Sequence, residues 1–322
     1  MIQGTRMAVR AIAALLAIAS LLSMPAASAA EKLRVGKAVA EAFSFVPVEI
    51  GIRTGIFQKN SLDIESIAFA GDARMQQAAA ADSIDILLGS GPAMAFIVKG
   101  APIKGVAAMA GPPLLLTLTV RPDGPKSIEE LKGKRVSVST VGSLTYWLVS
   151  ETSRQQGWGP TGIVIAPMGA TAPQIAALER KEIDGMVTDI STALDLEQRG
   201  KGRILTRFGQ LVKDFHIHVI FATDKAIATR PEPLRAFLRG WFETIAFMRQ
   251  NKAEAVKIAK DVMHKDEAIT ERTYDELMPM FSADGKFNPK ALGVLAESFV
   301  ELKVLPEKPD MSKLYTEAFL PK

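Results

Sequence analysis

Strand and helix patterns alternate along most of the chain, and this alternation constrains the fold more than any other feature. In the first part of the sequence the strands are predicted at residues 33–37, 62–68, 84–88, 103–109 and 114–120, and the helices at 47–54 and 72–81. Pro47 stands in the first turn of its helix and Gly55 follows the helix end, as helix boundaries prefer. Such alternation predicts an α/β fold.

A similar order of elements begins again after residue 127. The strands and helices of this second part are predicted at residues 135–139, 144–156, 163–166, 171–180 and 183–187. Thr171 is followed three residues later by Gln174, which is the spacing of a capping box. Each part also places an Ile-Asp pair after a glutamine-bearing helix, Ile84-Asp85 in the first and Ile183-Asp184 in the second. The repetition predicts two similar lobes.

After residue 223 the sequence changes to helix patterns alone, which are predicted at residues 231–250, 252–263, 270–280 and 289–302. We expect the chain to return to the first lobe there and to cover its sheet with this helical C-terminal extension. The predicted division is residues 31–118 plus 223–322 for lobe one and residues 119–222 for lobe two.

The first 30 residues have the three-part pattern of a secretory signal peptide. Arg6 and Arg10 precede an apolar run at residues 11–22, and small residues follow, which predicts cleavage after Ala29 or Ala30. The run is shorter than the ~20 residues that a membrane-spanning helix needs, so an uncleaved anchor is the weaker alternative. We therefore predict export to the periplasm.

The sequence has no cysteine, so a thiol-linked lipid anchor and disulfide bonds are excluded. Cleavage of the leader removes two arginines and no acid, and the formal charge falls from +4 to +2. Such a balanced charge argues against nucleic acid as a partner, because nucleic-acid binding needs a concentrated basic face. We expect a soluble monomer of about 290 residues, which is long enough for two domains.

Several short motifs resemble those of periplasmic solute-binding proteins of ABC importers for sulfonates, taurine and nitrate, and of the related thiamine-pyrimidine-precursor group. The resemblance rests on Pro47, Gly55-Ile56-Phe57, Leu62-Asp63-Ile64, Ile84-Asp85, and residues 100–104 (GAPIK) and 127–136 (SIEELKGKRV). It implies a type II periplasmic-binding-protein fold of the Venus-flytrap kind. It also implies a small-molecule ligand between the lobes and an ABC permease in the inner membrane as partner.

Candidate ligand-binding residues lie in loops after predicted strands, because open parallel sheets bind ligands outside the carboxyl ends of their strands. These candidates are Phe43, Ser44, Asp72, Ser90, Gly91, Ser139, Thr140, Gly142, Ser143, Thr171, Asp189 and His216. The segment from Ser139 to Ser143 is the strongest, since hydroxyls and a glycine before a helix can bind an anion. Its alternative is an ordinary N-cap.

Aromatic residues and histidines near these loops allow two interpretations. Phe43, Phe45, Tyr146 and Trp147 can form apolar walls for an organic ligand or belong to the core. His216 and a second histidine two residues later are expected on the same face of a strand. One of them can donate a hydrogen bond to a carboxylate, and exposure to solvent is the alternative.

The predicted function is capture of a small organic anion, a sulfonate or carboxylate that can be aromatic. A neutral pyrimidine or thiamine precursor is the alternative ligand, and a ligand-sensing module for a membrane receptor is the alternative role. We expect no enzyme activity, cofactor or metal, because the sequence has no Gly-x-Ser-x-Gly elbow, phosphate loop or dinucleotide fingerprint. Without cysteine it also lacks the cysteine-rich motif of relatives that synthesise a thiamine precursor.

Overall fold

The computed structural model describes residues 30–114 and 116–322. The predicted signal peptide up to residue 29 lies outside the described residues, so cleavage after Ala29 or Ala30 stays a prediction. No helix within the two described ranges is long and apolar enough to cross a membrane.

Strands and helices alternate as the sequence predicts, and the bounds of the predicted elements differ by a few residues. A helix at Ile190–Gln198 and a strand at Arg203–Arg207 are among the elements that were not predicted. The strands of the described part are β1 (Glu31–Lys37), β2 (Leu62–Ala68), β3 (Ile86–Ser90), β4 (Ile103–Ala110), β5 (Thr117–Val120), β6 (Arg135–Val138), β7 (Val164–Pro167), β8 (Gly185–Thr188), β9 (Arg203–Arg207) and β10 (His218–Thr223). Its helices are α1 (Val46–Arg53), α2 (Ile56–Lys59), α3 (Asp72–Ala80), α4 (Met94–Val98), α5 (Leu144–Gln155), α6 (Thr171–Glu179), α7 (Ile190–Gln198), α8 (Asp224–Thr229), α9 (Pro231–Gln250), α10 (Lys252–Met263), α11 (Glu267–Leu277) and α12 (Pro289–Glu301).

Ten strands form two five-stranded sheets in the described part of the chain, and the two sheets have equivalent topologies. The first has the order β2-β1-β3-β10-β4 and the second the order β7-β6-β8-β5-β9. In the first sheet β1 is parallel to β2 and β3, while β10 is antiparallel to β3 and β4. In the second sheet β6 is parallel to β7 and β8, while β5 is antiparallel to β8 and β9. The predicted α/β fold with two similar lobes is confirmed.

The antiparallel strand of each sheet comes from the other part of the chain, and this moves both predicted lobe boundaries. Thr117 and Leu118 pair with β8 in the second sheet, although the predicted division places them in lobe one. Residues 218–222, which the same division places in lobe two, pair with β3 and β4 in the first sheet. The reason is that β5 and β10 are buried along their whole length, and a strand buried on both faces fits either sheet, so its sequence does not show which sheet it joins. The exact lobe bounds remain a proposal.

The C-terminal helices cover the first sheet and also reach the second. α9 packs against α1 and α2, where the Phe57 and Phe237 rings stack with centroids 5.4 Å apart. α11 packs on α7, and Arg207 of β9 forms an ion pair with Glu276 of α11 at 2.9 Å. The helical extension is therefore confirmed, and its later helices join the two sheets.

Candidate functional site

A cavity of about 80 Å³ lies between the two sheets, at the loops that follow the parallel strands. Strand ends and helix starts from both sheets meet there, as expected for open α/β sheets. The lining residues are Ala38, Val39, Ala42, Ser44, Phe45, Asp72, Ser90, Leu116, Ser139, Ser143, Leu144, Thr145, Gly169, Thr171, Gln174, Val187, Thr188, Asp189 and His218.

The wall formed by the first sheet contains a buried carboxyl group. Asp72, the first residue of α3, accepts hydrogen bonds at 3.0 Å from both the backbone N–H and the hydroxyl of Ser90, at the end of β3. Burial raises the pKa of Asp72 to about 6, and the hydrogen bonds from Ser90 oppose the rise. The first sheet therefore presents to the cavity an acidic group whose environment favours its neutral form.

His218, the first residue of β10, stands beside this pair. It lies directly opposite Ser90 in the antiparallel register, and its ring centroid is 5.0 Å from that of Phe45. Burial lowers the pKa of His218 to about 4, and a hydrogen bond with the Gly89 backbone opposes the shift. The imidazole is therefore neutral at pH 7, and its Nδ1 has no hydrogen-bond partner within residues 30–114 and 116–322.

The wall formed by the second sheet is a network of hydroxyl groups. Thr145 Oγ1 is 3.1 Å from Ser139 Oγ and 2.9 Å from Ser143 Oγ, and it accepts a hydrogen bond from the Ser139 backbone N–H. Ser143 also caps α5 by accepting from the N–H of Tyr146. The cap that was the alternative interpretation of this segment is therefore present. Much of the hydrogen-bonding capacity of these hydroxyls is already used within the protein.

Asp189 and Gln174 also use their polar atoms internally. Asp189 caps α7, and its carboxylate accepts from the backbone N–H and the hydroxyl of Thr192. Gln174 accepts from the Ser137 hydroxyl and donates to the carbonyl of Gly169. The predicted capping box at Thr171 is wrong, because the N-cap of α6 is Ala170, which makes no side-chain cap. Gln174 is instead turned toward β6.

Thr140 contacts the opposite side of the cleft and does not line the cavity. Its Oγ1 accepts a 3.4 Å hydrogen bond from the backbone N–H of Ala73, in the first turn of α3. Gly71 lies so near that a Cβ there would be 2.5 Å from Thr140 Cγ2. The predicted contact of Thr140 with an anion is therefore replaced by a contact between the two sides of the cleft, which are closed on each other here.

Seven of the predicted site residues line the cavity, namely Ser44, Asp72, Ser90, Ser139, Ser143, Thr171 and Asp189. The predicted residues Phe43 and Gly142, like Thr140, do not line the cavity. Phe43 lies in the core near Tyr274 and Phe281, and Gly142 adopts a positive φ of 79° beside Phe96. A Cβ on Gly91 would lie 1.9 Å from the carbonyl oxygen of His216, so this glycine is needed for close packing.

His216 is a site residue in the sequence prediction, but the structure places His218 there instead. The Nε2 of His216 accepts a hydrogen bond from the backbone N–H of Asn288, and its ring packs against Phe287. Both histidines are buried, so the alternative of a solvent-facing pair is also wrong. The error arises because β10 begins only at residue 218, so strand alternation does not extend back to residue 216.

Sequence reasoning did not select several polar or apolar lining residues, including Thr145, Gln174, Leu116 and Val187. Thr145 and Gln174 lie in the first turns of α5 and α6, which directly follow loops that contain candidate residues. Their position next to these loops could have identified them as lining residues. Leu116 precedes a strand whose sheet the sequence does not reveal.

The charges around the cavity are all of one sign. Asp72 and Asp189 are the acidic lining residues, and no lysine or arginine lines the cavity in the part of the chain that the structure describes. Within the same part, no group of three or more His, Asp or Glu side chains is arranged to hold a metal ion. Apolar side chains complete the walls, including Val39, Phe45 and Leu144.

Comparison with protein families gives a match over most of the chain. The model of the family described as NMT1/THI5 like matches residues 42–255. A putative thiamine biosynthesis protein of Haemophilus influenzae is 32% identical over 89 residues. This match covers 27% of the present chain and only 28% of the length of that relative.

Solved structures with a similar fold cover nearly the whole chain. The alkanesulfonate-binding protein of Xanthomonas axonopodis pv. citri, bound to MOPS, has a TM-score of 0.77 at 18% identity, covering 90% of this chain and 99% of its own. The periplasmic aliphatic sulphonate binding protein of Escherichia coli has a TM-score of 0.70 at 19% identity, with coverages of 89% and 92%. The periplasmic nitrate-binding protein of Synechocystis has a TM-score of 0.69 at 14% identity, with coverages of 89% and 86%.

Proposed function

Since this chain belongs to the NMT1/THI5-like family, we propose that it is the ligand-binding component of an ABC importer and binds a neutral nitrogen heterocycle of the pyrimidine type. One observation carries the choice of ligand. The lining of the cavity has two carboxyl groups, Asp72 and Asp189, and no lysine or arginine among the described residues.

The same observation argues against the organic anion that the sequence suggested. A sulfonate or carboxylate would place a second negative charge beside Asp72, which is buried, and a like charge in a desolvated site is unfavourable. Helix starts can offset such a charge. However, two of the helix starts at the cavity already carry a side-chain cap: Ser143 accepts from the N–H of Tyr146 in α5 and Asp189 from the N–H of Thr192 in α7, whereas α6 has no side-chain cap.

A flat, uncharged ring suits the remaining features of the cavity. Phe45, Leu116, Leu144 and Val187 supply apolar surface, and the hydroxyl and carboxyl groups supply a few convergent polar contacts, as small-molecule pockets usually do. The name of the Haemophilus influenzae relative, a putative thiamine biosynthesis protein, supports a pyrimidine precursor as the ligand.

The remaining parts of this proposal concern the setting of the protein. We infer export to the periplasm by a cleaved signal peptide, function as a monomer, and delivery of the unchanged ligand to an inner-membrane permease. The same fold can serve a membrane receptor as a sensing module. A gene for a permease or its ATPase next to this gene would support import, and a gene for a sensor kinase would support sensing.

A thermal-shift screen of the protein tests the ligand class. Addition of an aminopyrimidine at about 100 times its Kd is expected to raise Tm by about 5 °C, because a ligand that binds only the native state stabilises it by about 2.7 kcal/mol. Alkanesulfonates, taurine, carboxylates and nitrate are expected to leave Tm unchanged. A shift with these anions and none with neutral heterocycles would refute the proposed ligand.

Two valine variants make the screen specific for the cavity. Val39→Trp should fill the cavity and abolish the shift, since Val39 lies in its wall. Val98→Trp is the matched control, because Val98 is 44% exposed and lies outside the lining, and it should retain the shift. Equal shifts in both variants would place the ligand elsewhere on the protein.

A further inference from the structure

Ser44 carries a hydroxyl group that the protein itself does not use. The residue lines the cavity and is only 7% exposed, yet its Oγ has no hydrogen-bond partner among residues 30–114 and 116–322. The fully enclosed side-chain atoms that lack a partner in the same ranges belong to other residues, so this hydroxyl is open to the cavity. A buried hydroxyl without a partner is unfavourable, and a ligand can supply the missing hydrogen bond.

The other serine hydroxyls in the cavity lining are already engaged. Ser139 and Ser143 each have their Oγ within 3.1 Å of the Thr145 hydroxyl. The hydroxyl of Ser90 donates its hydrogen to a carboxyl oxygen of the first-sheet wall, so its oxygen can only accept from a ligand. Ser44 is therefore the serine of the lining whose hydrogen remains available for donation.

Two buried aromatic neighbours hold Ser44 in place. The three residues from Phe43 to Phe45 form a single 3-10 turn between β1 and α1. The ring of Phe43 packs edge-on against Tyr274 with the centroids 6.1 Å apart, and the ring of Phe45 lies 5.0 Å from that of His218. The hydroxyl is therefore positioned before a ligand arrives, which lowers the entropy that binding must offset.

Ser44 lies on the same wall as the acceptor groups of Asp72 and Ser90. Its turn follows β1, and β1 pairs with β3, whose last residue is Ser90. Asp72 accepts both hydrogen bonds of Ser90, and all three residues line the cavity. The first sheet therefore presents one free donor together with acceptor oxygens.

We propose that Ser44 is a specificity-determining residue of the cavity and that its hydroxyl donates a hydrogen bond to a ring nitrogen of the ligand. This inference rests on the proposed function and deepens it, because it selects nitrogen heterocycles against carbocycles of the same shape. An aminopyrimidine has an acceptor nitrogen next to its amino donor, which matches a donor hydroxyl on the same wall as acceptor oxygens. A benzene ring brings no such acceptor and leaves the buried hydroxyl unpaired, and sites built to hydrogen-bond a ligand group discriminate against analogues that lack it.

Calorimetry with two probes of nearly equal shape tests this assignment. The probes are 4-amino-2-methylpyrimidine and 3-methylaniline, which have the same two substituents in the same relative positions and differ in their two ring nitrogens. Ser44→Ala should raise the Kd of the pyrimidine about 5- to 10-fold, the usual effect of one hydrogen bond, and leave the Kd of the aniline within about twofold. The ratio of the two Kd values thus reports the hydrogen bond separately from the packing of the ring.

The melting temperature of the ligand-free variant separates recognition from a structural role. Because the Ser44 hydroxyl has no partner in the described part of the protein, Ser44→Ala should leave Tm unchanged or raise it. Ser150→Ala is the matched control, since Ser150 also has a buried hydroxyl without a partner among the described residues but lies outside the lining. This control should keep both Kd values.

The outcomes distinguish the inference from the proposed function. If the native protein binds the pyrimidine and Ser44→Ala binds it equally well, or loses affinity for both probes alike, Ser44 does not recognise a ring nitrogen, although the proposed ligand class stands. A lower Tm of Ser44→Ala would assign the hydroxyl a structural role and also overturn the inference. If the native protein binds a sulfonate or carboxylate and not the pyrimidine, the proposed ligand class and this inference both fail. Weaker binding of the pyrimidine alone, with Tm maintained, supports the assignment.

Discussion

Replacement of Asp72 by asparagine is expected to stabilise the ligand-free protein by about 3 kcal/mol at pH 7.5. Burial raises the pKa of this carboxyl to about 6 from an ordinary value of 3.8, and a difference of one in pKa corresponds to about 1.36 kcal/mol. At pH 7.5 the native protein must therefore hold an ionised group in a site that favours its neutral form. Asparagine is uncharged and nearly the same shape, and it can still bond with the N–H and hydroxyl of Ser90.

The contribution of Asp72 to stability depends on pH. Between about pH 4 and pH 6 the unfolded chain loses the Asp72 proton while the folded protein keeps it, so the stability contributed by Asp72 falls as pH rises through this window. The difference between Asp72→Asn and the native protein should therefore be small below pH 4 and reach its maximum above pH 7. Urea unfolding across the range from pH 4 to pH 8 measures this difference.

Asp189→Asn is the matched control for the same experiment. Asp189 also lines the cavity, but its carboxylate caps α7 and accepts from the N–H and hydroxyl of Thr192. Its replacement should leave stability unchanged or lower it by up to about 1 kcal/mol, since asparagine is also an acceptable cap. If Asp72→Asn destabilises the protein at pH 7.5 while the control behaves as expected, the buried carboxyl is favourable and our description of the wall is wrong.

Gly71→Ala is expected to weaken ligand binding about 100-fold, because it prevents the two sides of the cleft from closing. Gly71 has φ 110° and ψ 162°, a backbone conformation that is essentially restricted to glycine. A Cβ at this position would lie 2.5 Å from Thr140 Cγ2 and 2.6 Å from Thr140 Oγ1, on the opposite side. The closed form must then open, and the ligand loses its contacts with one wall.

A second substitution separates closure from backbone strain. Thr140→Ala removes both nearest atoms, so Gly71→Ala combined with Thr140→Ala should recover most of the lost affinity but none of the lost stability. Gly100→Ala is the matched control, because Gly100 also has a positive φ of 91° but has no atom within 4 Å of its Cβ position. The control should lose about 1 to 3 kcal/mol of stability and keep its affinity.

Calorimetry with 4-amino-2-methylpyrimidine and urea unfolding of all four proteins measure both quantities. If Gly71→Ala binds as tightly as Gly100→Ala, contact between Gly71 and Thr140 is not required for binding. If the double variant binds no better than Gly71→Ala alone, strain or local unfolding accounts for the loss.

The fold could be predicted from the sequence because the apolar periods of its strands and helices are clear and their order repeats. The assignment of β5 and β10 to their sheets could not, because their residues, the threonines of β5 included, are all buried, and such strands can be buried in either sheet. Strand alternation also failed near residue 216, where the chain turns before β10 begins. Hydrogen-bonding partners decide such cases, and a single sequence does not show them.

The candidate site was predicted where it depends on strand ends and missed where it depends on contacts between distant segments. Ser90 ends a strand, and Asp72 and Ser139 lie in or just after the loops that follow strands, so their positions could be inferred from topology. The contact between Thr140 and Gly71 exists only when the two sides meet, so the sequence alone assigns the Thr140 hydroxyl to an anion. The polarity of the cavity likewise depends on which helix starts are already capped by side chains.

A crystal structure of the protein grown with 4-amino-2-methylpyrimidine tests the central claim most directly. We predict one ring in the cavity between the two sheets, with its amino group within hydrogen-bonding distance of Ser90 Oγ or the Asp72 carboxyl group and its faces against apolar side chains such as Phe45 and Leu144. A ring bound outside this cavity, or a cavity that accepts a sulfonate and not the pyrimidine under the same conditions, would contradict the account.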